Sequence, residues 1–426
     1  MFFKRRQKES NIICFKSISM KVKQHLTHFD NVDFRGAKNK RPLTVNVSSN
    51  IRFIRLSLQT ESPFHLDTIE IIDASDQIIS KVNNTFISSV YNDDDRYSGN
   101  GVLELRRNGG CGFHTKREIN PWLVIDLGES KDIKQLVIYN RDDIFFTRAL
   151  SLLVQVGSDM INWQEVHDNL APAKQYVTKG MSKEEIALAY AGVLDDTKAR
   201  ELIEHYSRKG DYDKALRFHE SFNDIISYAG LSLGPYGYTR KLELNPLKIR
   251  NNKYNELSYL LTWLNDEFGV AAFIFCETLL GIMTDNKFIG HNNNFKICYV
   301  SNKIKHTEIL EERKKILSFL TAKGCSMNPS VAAHYRCTMP SGIIVDIFTG
   351  FFEQGRCSIY PLRRRGVKTE DVVPVYKQPV QNTELFFPRD PEQLLIFNYG
   401  PNWRVPDLLW NLDWTGVRKQ YDFLFF

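Results

Sequence analysis

The sequence lacks the features that would place it in a membrane, a secretory route or a disulfide-built scaffold. Nowhere in its 426 residues is there an uninterrupted apolar run of about 18, so no transmembrane helix is expected. The N-terminal stretch MFFKRRQKESNIICFKSISMKV is basic but holds no apolar core long enough for a signal peptide. Seven cysteines (Cys14, Cys111, Cys276, Cys298, Cys325, Cys337 and Cys357) are odd in number, scattered, and include no CxxC pair. That pattern argues against a disulfide framework and a zinc site, and for reduced thiols in a cytosolic protein. No basic stripe with interleaved aromatics is present, so nucleic acid is not an expected partner. The net charge of +6 is mild and permits an anionic partner such as a phosphate, a nucleotide sugar or an acidic lipid. Met20 offers a second plausible start, and residues 1–40 read as a basic, disordered extension.

What is present is ordinary globular composition, 42% hydrophobic and 25% charged, at a length suited to two or three domains. From about Val45 to Val166, short Val, Ile and Leu runs alternate with Gly, Asn, Asp and Ser turns, which predicts a β-sandwich. The segment YNDDDRYSGNGVLELRRNGGCGFHTKREIN is too polar and Gly-rich to be a core strand throughout. At Ser182 the period becomes helical, with a capping box from Ser182 and Glu185. Two amphipathic helices follow, broken at Gly210–Asp211. The expected organisation is an extension over 1–40, a sandwich over 41–170, a helical connector over 171–250 grouped with the second half, and an α/β domain over 251–426.

Three motifs in order carry a resemblance: NPWLVIDLG at Asn120–Gly128, IKQLVIYNR at Ile133–Arg141, and LLVQVGSDMINWQEV at Leu152–Val166. Together they resemble a discoidin-type (coagulation-factor type C) domain. The resemblance implies an eight-stranded jelly roll that binds sugars or lipid head groups through loops at one end. Trp122 reads as a core anchor and Asp126 as a turn cap. His114, Arg141 and Arg148 lie in or beside polar loops. They serve either as carbohydrate-binding groups for hydroxyls or an acidic group, or as loop holders, with the two arginines paired to Asp126 or Asp142.

In the second half, a buried strand and a turn lead into a helix that starts near Thr278 with TLLG at Thr278–Gly281; then come FIGHNNNFKI, VDIF at Val345–Phe348, and a late run through Pro388, Tyr399, Gly400, Trp403 and Pro406. Residues from about Leu257 to Asp407 resemble the LicD family, relatives of fukutin within the nucleotidyltransferase superfamily. That resemblance implies transfer of phosphocholine or related phospho-groups to glycans. Such transfer normally uses two Mg²⁺ held by about three carboxylates. Here the positions matching two of the acids are Asn294 and Lys296, and only Asp346 remains. An Asn oxygen is a weaker ligand for a hard cation, and an ammonium repels it and could pair with Asp346. Glu277 stands where the family usually has glycine. The candidate site is therefore Asp346, Asn294 and Lys296, with Thr278, Gly281, Lys287 and His291 toward substrate and no metal. Substitute ligands from Asp285, His291 or Glu353, or electrostatic clamping by Lys296 and Lys287, would keep an active enzyme. Arg363, Arg364 and Arg365 read as a solvated face.

The two resemblances together imply bacterial surface-glycan biosynthesis (capsule, lipopolysaccharide or teichoic-type). The expectation is a cytoplasmic protein, able to touch the inner membrane face. It would pair a carbohydrate-binding domain with a transferase fold that has lost metal-dependent catalysis. Its partners would be a glycan or nucleotide-activated sugar and other glycan-assembly enzymes. No cofactor is expected, and Mg²⁺ only in the alternative, an active phospho-group transferase. A non-catalytic scaffold for a partner protein is the third reading.

Overall fold

The computed structural model describes residues 15–26, 34–35, 41–79, 84–234, 237–240, 247–286, 288, 294–328, 333–404 and 414–425. The chain forms two compact units, Met1–Leu233 and Gly234–Phe426.

The first unit is built on two long antiparallel strands, β1 (Leu43–Leu58) and β6 (Trp122–Tyr139). Leu43, Val45 and Val47 are buried while Thr44, Asn46 and Ser48 between them are exposed, the period of a strand with one wet face. Irregularities between Asn46 and Ser49 and between Ile51 and Phe53 bend the pair. Strand β3 (Thr68–Asp73) flanks the second part of β6, and β4 (Asn84–Ile87) flanks its first part. On the other side β7 (Leu152–Gly157) pairs with the end of β1, and β8 (Gln164–Asp168) pairs with β7. Two further short strands, β2 (Ser62–Pro63) and β5 (Arg117–Glu118), pair with each other. Leu43, Val45, Ile69, Ile71 and Leu136 share one buried cluster with Ile54, Leu56, Leu123 and Val154, an arrangement consistent with a sandwich.

Two sequence expectations change here. WLVIDLG and IKQLVIYNR are not separate strands but halves of β6; Gly128, at φ +83°, bends the strand without ending it. Trp122 is half-buried, and the core on this strand is Leu123, Ile125 and Leu127. Asp126 does accept the Gly128 amide at 2.8 Å, and it also takes a two-pronged ion pair from Arg52 at 2.8 and 3.0 Å.

Residues 15–26, expected within a disordered extension, form helix α1, with Phe15, Val22 and Leu26 buried. Helices α2 (Ala171–Tyr176), α3 (Lys183–Gly192), α4 (Thr197–Arg208) and α5 (Tyr212–Ile226) fall in the first unit, not with the second half. The Ser182–Glu185 capping box is formed at the start of α3. Ser19 and Lys23 of α1 both reach Asp224 of α5, at 2.5 and 2.9 Å.

The second unit is a mixed α/β fold. Helix α6 (Leu247–Thr262) runs into a π-helical turn, Trp263–Phe268, and then strand β9 (Ala271–Ile274). Helix α7 (Cys276–Asp285) follows, then β10 (Asn294–Ser301) and α8 (His306–Ala322). Strands β11 (Ser326–Asn328), β12 (Tyr335–Thr338) and β13 (Ile344–Glu353) complete the central order β9-β10-β13-β12-β11. Within it β10 and β13 are parallel and the other pairs antiparallel. Val345, Ile347 and Phe348 of β13 are wholly buried, as a central strand requires.

Candidate functional site

Two constellations stand out. The first lies where the long loop between β4 and β5 folds onto the start of β3. Gly112 makes that fold possible: a Cβ there would sit 2.7 Å from Val102 Cα, and a side chain at Gly101 would run into the Gly112 carbonyl. Backbone hydrogen bonds then lock His114, whose amide donates to Tyr97 O at 3.1 Å and whose carbonyl accepts from Tyr91 at 2.9 Å. Its Nδ1 lies 2.7 Å from the Thr115 carbonyl, which can only accept, so Nδ1 carries the proton and Nε2 is left as an acceptor.

Around His114 stand three rings: His65 at 5.1 Å, Tyr91 at 4.6 Å and Tyr97 at 5.8 Å between centroids. His65 is fully buried, and among the described residues neither of its ring nitrogens has a hydrogen-bond partner. The other wall is the turn Ile144–Ala149. Asp143 caps it by accepting the Phe145 amide at 3.1 Å. Asp143 also ion-pairs Arg141, and the guanidinium groups of Arg141 and Arg148 lie 5.3 and 4.3 Å from the Phe145 ring. Asn140, buried beneath, donates to the Phe34 and Phe146 carbonyls.

Charge ties the group together. Burial, then Arg141, His114 and Arg148, push His65 well below the usual histidine range. Burial also lowers His114, opposed by its bond to Thr115 and reinforced by Arg148 and Arg141. Burial lowers Arg148 too, with Arg141 adding to it. Both imidazoles are thus neutral beside two cations.

The structure therefore brings His114, Arg141 and Arg148 together. It also corrects the proposed loop pairings: Arg141 is held by Asp143, while Asp126 belongs to Arg52. His65, Tyr91, Tyr97 and Phe145 were missed. His65 sits between Phe64 and Leu66, both wholly buried, and that apolar setting was the one available signal.

The second constellation joins α7, β10 and β13. Lys296 and Asp346 are register partners on the parallel strands, and Asn294 Nδ2 lies 3.5 Å from Asp346 Oδ2. Lys296 does not pair with Asp346. Its ammonium lies 2.6 Å from Glu277, an ion pair rather than an aligned hydrogen bond. Burial opposes that charge, but Glu277, with Cys276 and Asp346 adding to it, outweighs burial, and the Lys296 pKa is raised. Asp346 instead accepts from Arg336 Nε at 3.0 Å, with His334 Nε2 at 4.0 Å. Glu277 is accordingly not a bare carboxylate facing a phosphate. Thr278, expected toward substrate, is buried and accepts the Lys296 amide at 2.8 Å. Gly281 lies inside α7. Lys287 and His291 lie outside the described residues, as does the Asp285 side chain.

Glu353, considered as a substitute ligand, is instead engaged by Arg364 at 2.7 Å, Arg365 at 3.3 Å and Ser358 at 2.5 Å. Arg364 also donates to the Gln420 carbonyl at 2.9 Å, so the arginine run is not a purely solvated face. Among the described residues no group of three or more His, Cys, Asp or Glu side chains could hold a metal ion. No helix among them is long and apolar enough to cross a membrane.

Comparison with known proteins bears on the first constellation. No curated protein matches the chain. Residues 110–186, however, match the family model described as a NedA-like, galactose-binding domain of the coagulation-factor type C group. The matched segment carries β6, β7 and β8 and holds His114, Arg141, Asp143, Phe145 and Arg148. The first unit thus contains a discoidin-like domain of the galactose-binding type, with the two-histidine, two-arginine cluster at its loops.

Proposed function

We propose that the protein serves the assembly of a surface glycan, with its discoidin-like domain binding carbohydrate at the loop cluster. The single observation that carries this is the meeting of His114, Arg141 and Arg148 beside exposed aromatic rings, inside the segment matched by a galactose-binding family. The chemistry suits a sugar. His114 Nε2 offers an acceptor, guanidinium groups offer several donors, and aromatic faces cover the apolar face of a pyranose. Titration calorimetry of the full chain with methyl galactoside tests it. Saturable binding, weakened by His114→Ala with no loss of fold, is expected. No heat at millimolar sugar overturns the reading.

For the second unit we propose a LicD-type transferase fold that has left metal-dependent chemistry. What supports this is the Glu277–Lys296 ion pair beside Asn294 and Asp346, on the paired parallel strands where the resemblance puts metal-binding acids. One cation and one anion already neutralise each other there, so no divalent ion is needed to balance charge. On this reading the unit recognises a glycan or activated sugar in the cytoplasm, alongside other assembly enzymes. Phospho-group transfer from an activated donor, measured with and without Mg²⁺, is the test: metal-dependent turnover would overturn it.

A further inference from the structure

The loop cluster is not charge-balanced. Arg141 is ion-paired to Asp143, and both histidines are held neutral by their surroundings. Arg148 is different. It is half-buried and lies 4.3 Å from the Phe145 ring, and among the described residues no carboxylate ion-pairs with it. The charged groups acting on it are Arg141, Asp143 and Arg117; Asp143 is committed to Arg141, and Arg117 pairs with Glu61 at 3.0 Å. Two cations less one anion leave a single positive charge beside the rings, partly withdrawn from water. A half-buried guanidinium without a counter-charge is costly. That cost is relieved if a ligand supplies an anion.

A neutral hexose supplies the hydroxyls only. A phosphate monoester supplies about −1.5 to −2 at pH 7, more negative charge than the single excess cation offsets. A carboxylate on the sugar supplies one charge, in the planar shape that a guanidinium binds through two parallel hydrogen bonds. We propose that this site selects a uronic-acid residue over its neutral counterpart, with Arg148 taking the carboxylate and His114 taking a ring hydroxyl. Tyr91 and Phe145, 40% and 43% exposed, flank the ligand with aromatic surface. The inference rests on the carbohydrate-binding reading above and names the class of sugar within it.

The test is titration of the full chain with methyl galacturonide and, separately, methyl galactoside, at two ionic strengths. The uronide is expected to bind at least about ten-fold more tightly, with the margin shrinking at high salt. Arg148→Gln is expected to weaken both sugars, the uronide far more than the galactoside, and so to abolish the margin. Arg148→Lys, which keeps charge but not the fork, is expected to fall between. Circular dichroism of each variant separates lost binding from lost fold. Equal affinity for the two sugars, or a margin that survives Arg148→Gln in a folded variant, overturns the uronide inference and leaves carbohydrate binding standing. Binding of neither sugar overturns the underlying reading instead.

Discussion

The ammonium of Lys296 lies 2.6 Å from the carboxylate of Glu277, and the two side chains are only 13% and 18% exposed. One charge brought into this site is therefore answered by the other. Removing either alone leaves a largely buried ion without its partner, which costs about 3–5 kcal/mol. Lys296→Met is expected to lower the calorimetric melting transition by that order, and Glu277→Met likewise. The double variant should recover most of the loss, because an apolar pair of similar volume replaces an ion pair at little net cost. Simply additive losses would show that the two residues do not depend on each other.

The same pair governs the response to metal. Millimolar Mg²⁺ or Mn²⁺ is expected to leave the melting temperature of the native chain unchanged. In the Asn294→Asp, Lys296→Asp variant, two new carboxylates join Glu277 and Asp346 without a nearby ammonium. That variant should start less stable and regain stability on adding Mn²⁺, by about 2.7 kcal/mol once the ion reaches a hundred times its dissociation constant. A shift in the native chain that Asp346→Asn removes would establish metal use instead.

Much of the frame was legible in the sequence because it rests on local rules. The alternation Leu43, Val45, Val47 announces a strand, and Ser182 with Glu185 announces a helix start. What failed was non-local. Gly128-Glu-Ser-Lys reads as a turn, yet β1 pairs along both sides of it and keeps β6 continuous. His65 is one histidine between two apolar residues. Its place in a site depends on Tyr91 and His114, which the loop brings back from far along the chain. Arg141 chose Asp143, two residues away, over the acids weighed from sequence, because the turn at Ile144–Ala149 presents that carboxylate. In the second unit, Glu277 and Lys296 each registered as a departure from a pattern. Their complementarity needed the packing of α7 against β10.

The helices of the first unit carry an acid-sensitive joint. Glu184 of α3 accepts the Tyr206 hydroxyl of α4 at 2.5 Å and the Lys214 ammonium of α5 at 2.9 Å. Burial raises the Glu184 pKa, but these two bonds outweigh it and hold it at about 2, below the ordinary 4.5. A depressed folded-state pKa means that the stabilisation is fully present above about pH 4.5 and is lost as pH falls toward 2. Allowing for solvent screening of a partly exposed pair, it is worth about 1–2 kcal/mol. Glu184→Gln should therefore melt lower than the native chain at pH 7, with the gap narrowing below pH 4.5. A gap that stays constant down to pH 2.5 would place the effect elsewhere.

The last prediction concerns the loop that carries the sugar site. Gly112 has no room for a side chain, because an added Cβ would lie 2.7 Å from Val102 Cα and 2.9 Å from Val102 N. These are backbone atoms and cannot rotate aside, unlike the tip of a flexible side chain. An added Cβ would also run into the Asp67 carbonyl, so Gly112→Ala must push this part of the loop off Asp67 and Val102, at a cost of about 1–3 kcal/mol. The Gly112 amide, which donates to Leu66 O at 2.7 Å, moves with it. Leu66 neighbours His65 and Gly112 precedes His114 by two residues, so the displacement separates the two imidazoles. Gly112→Ala is thus expected to weaken sugar binding more than its modest loss in melting temperature would suggest. Gly180→Ala is the control: nothing lies within 4 Å of a Cβ there, and its φ of +97° adds backbone strain far from the loop. It should cost stability without touching affinity. Equal effects of the two substitutions on binding would detach the site from this loop.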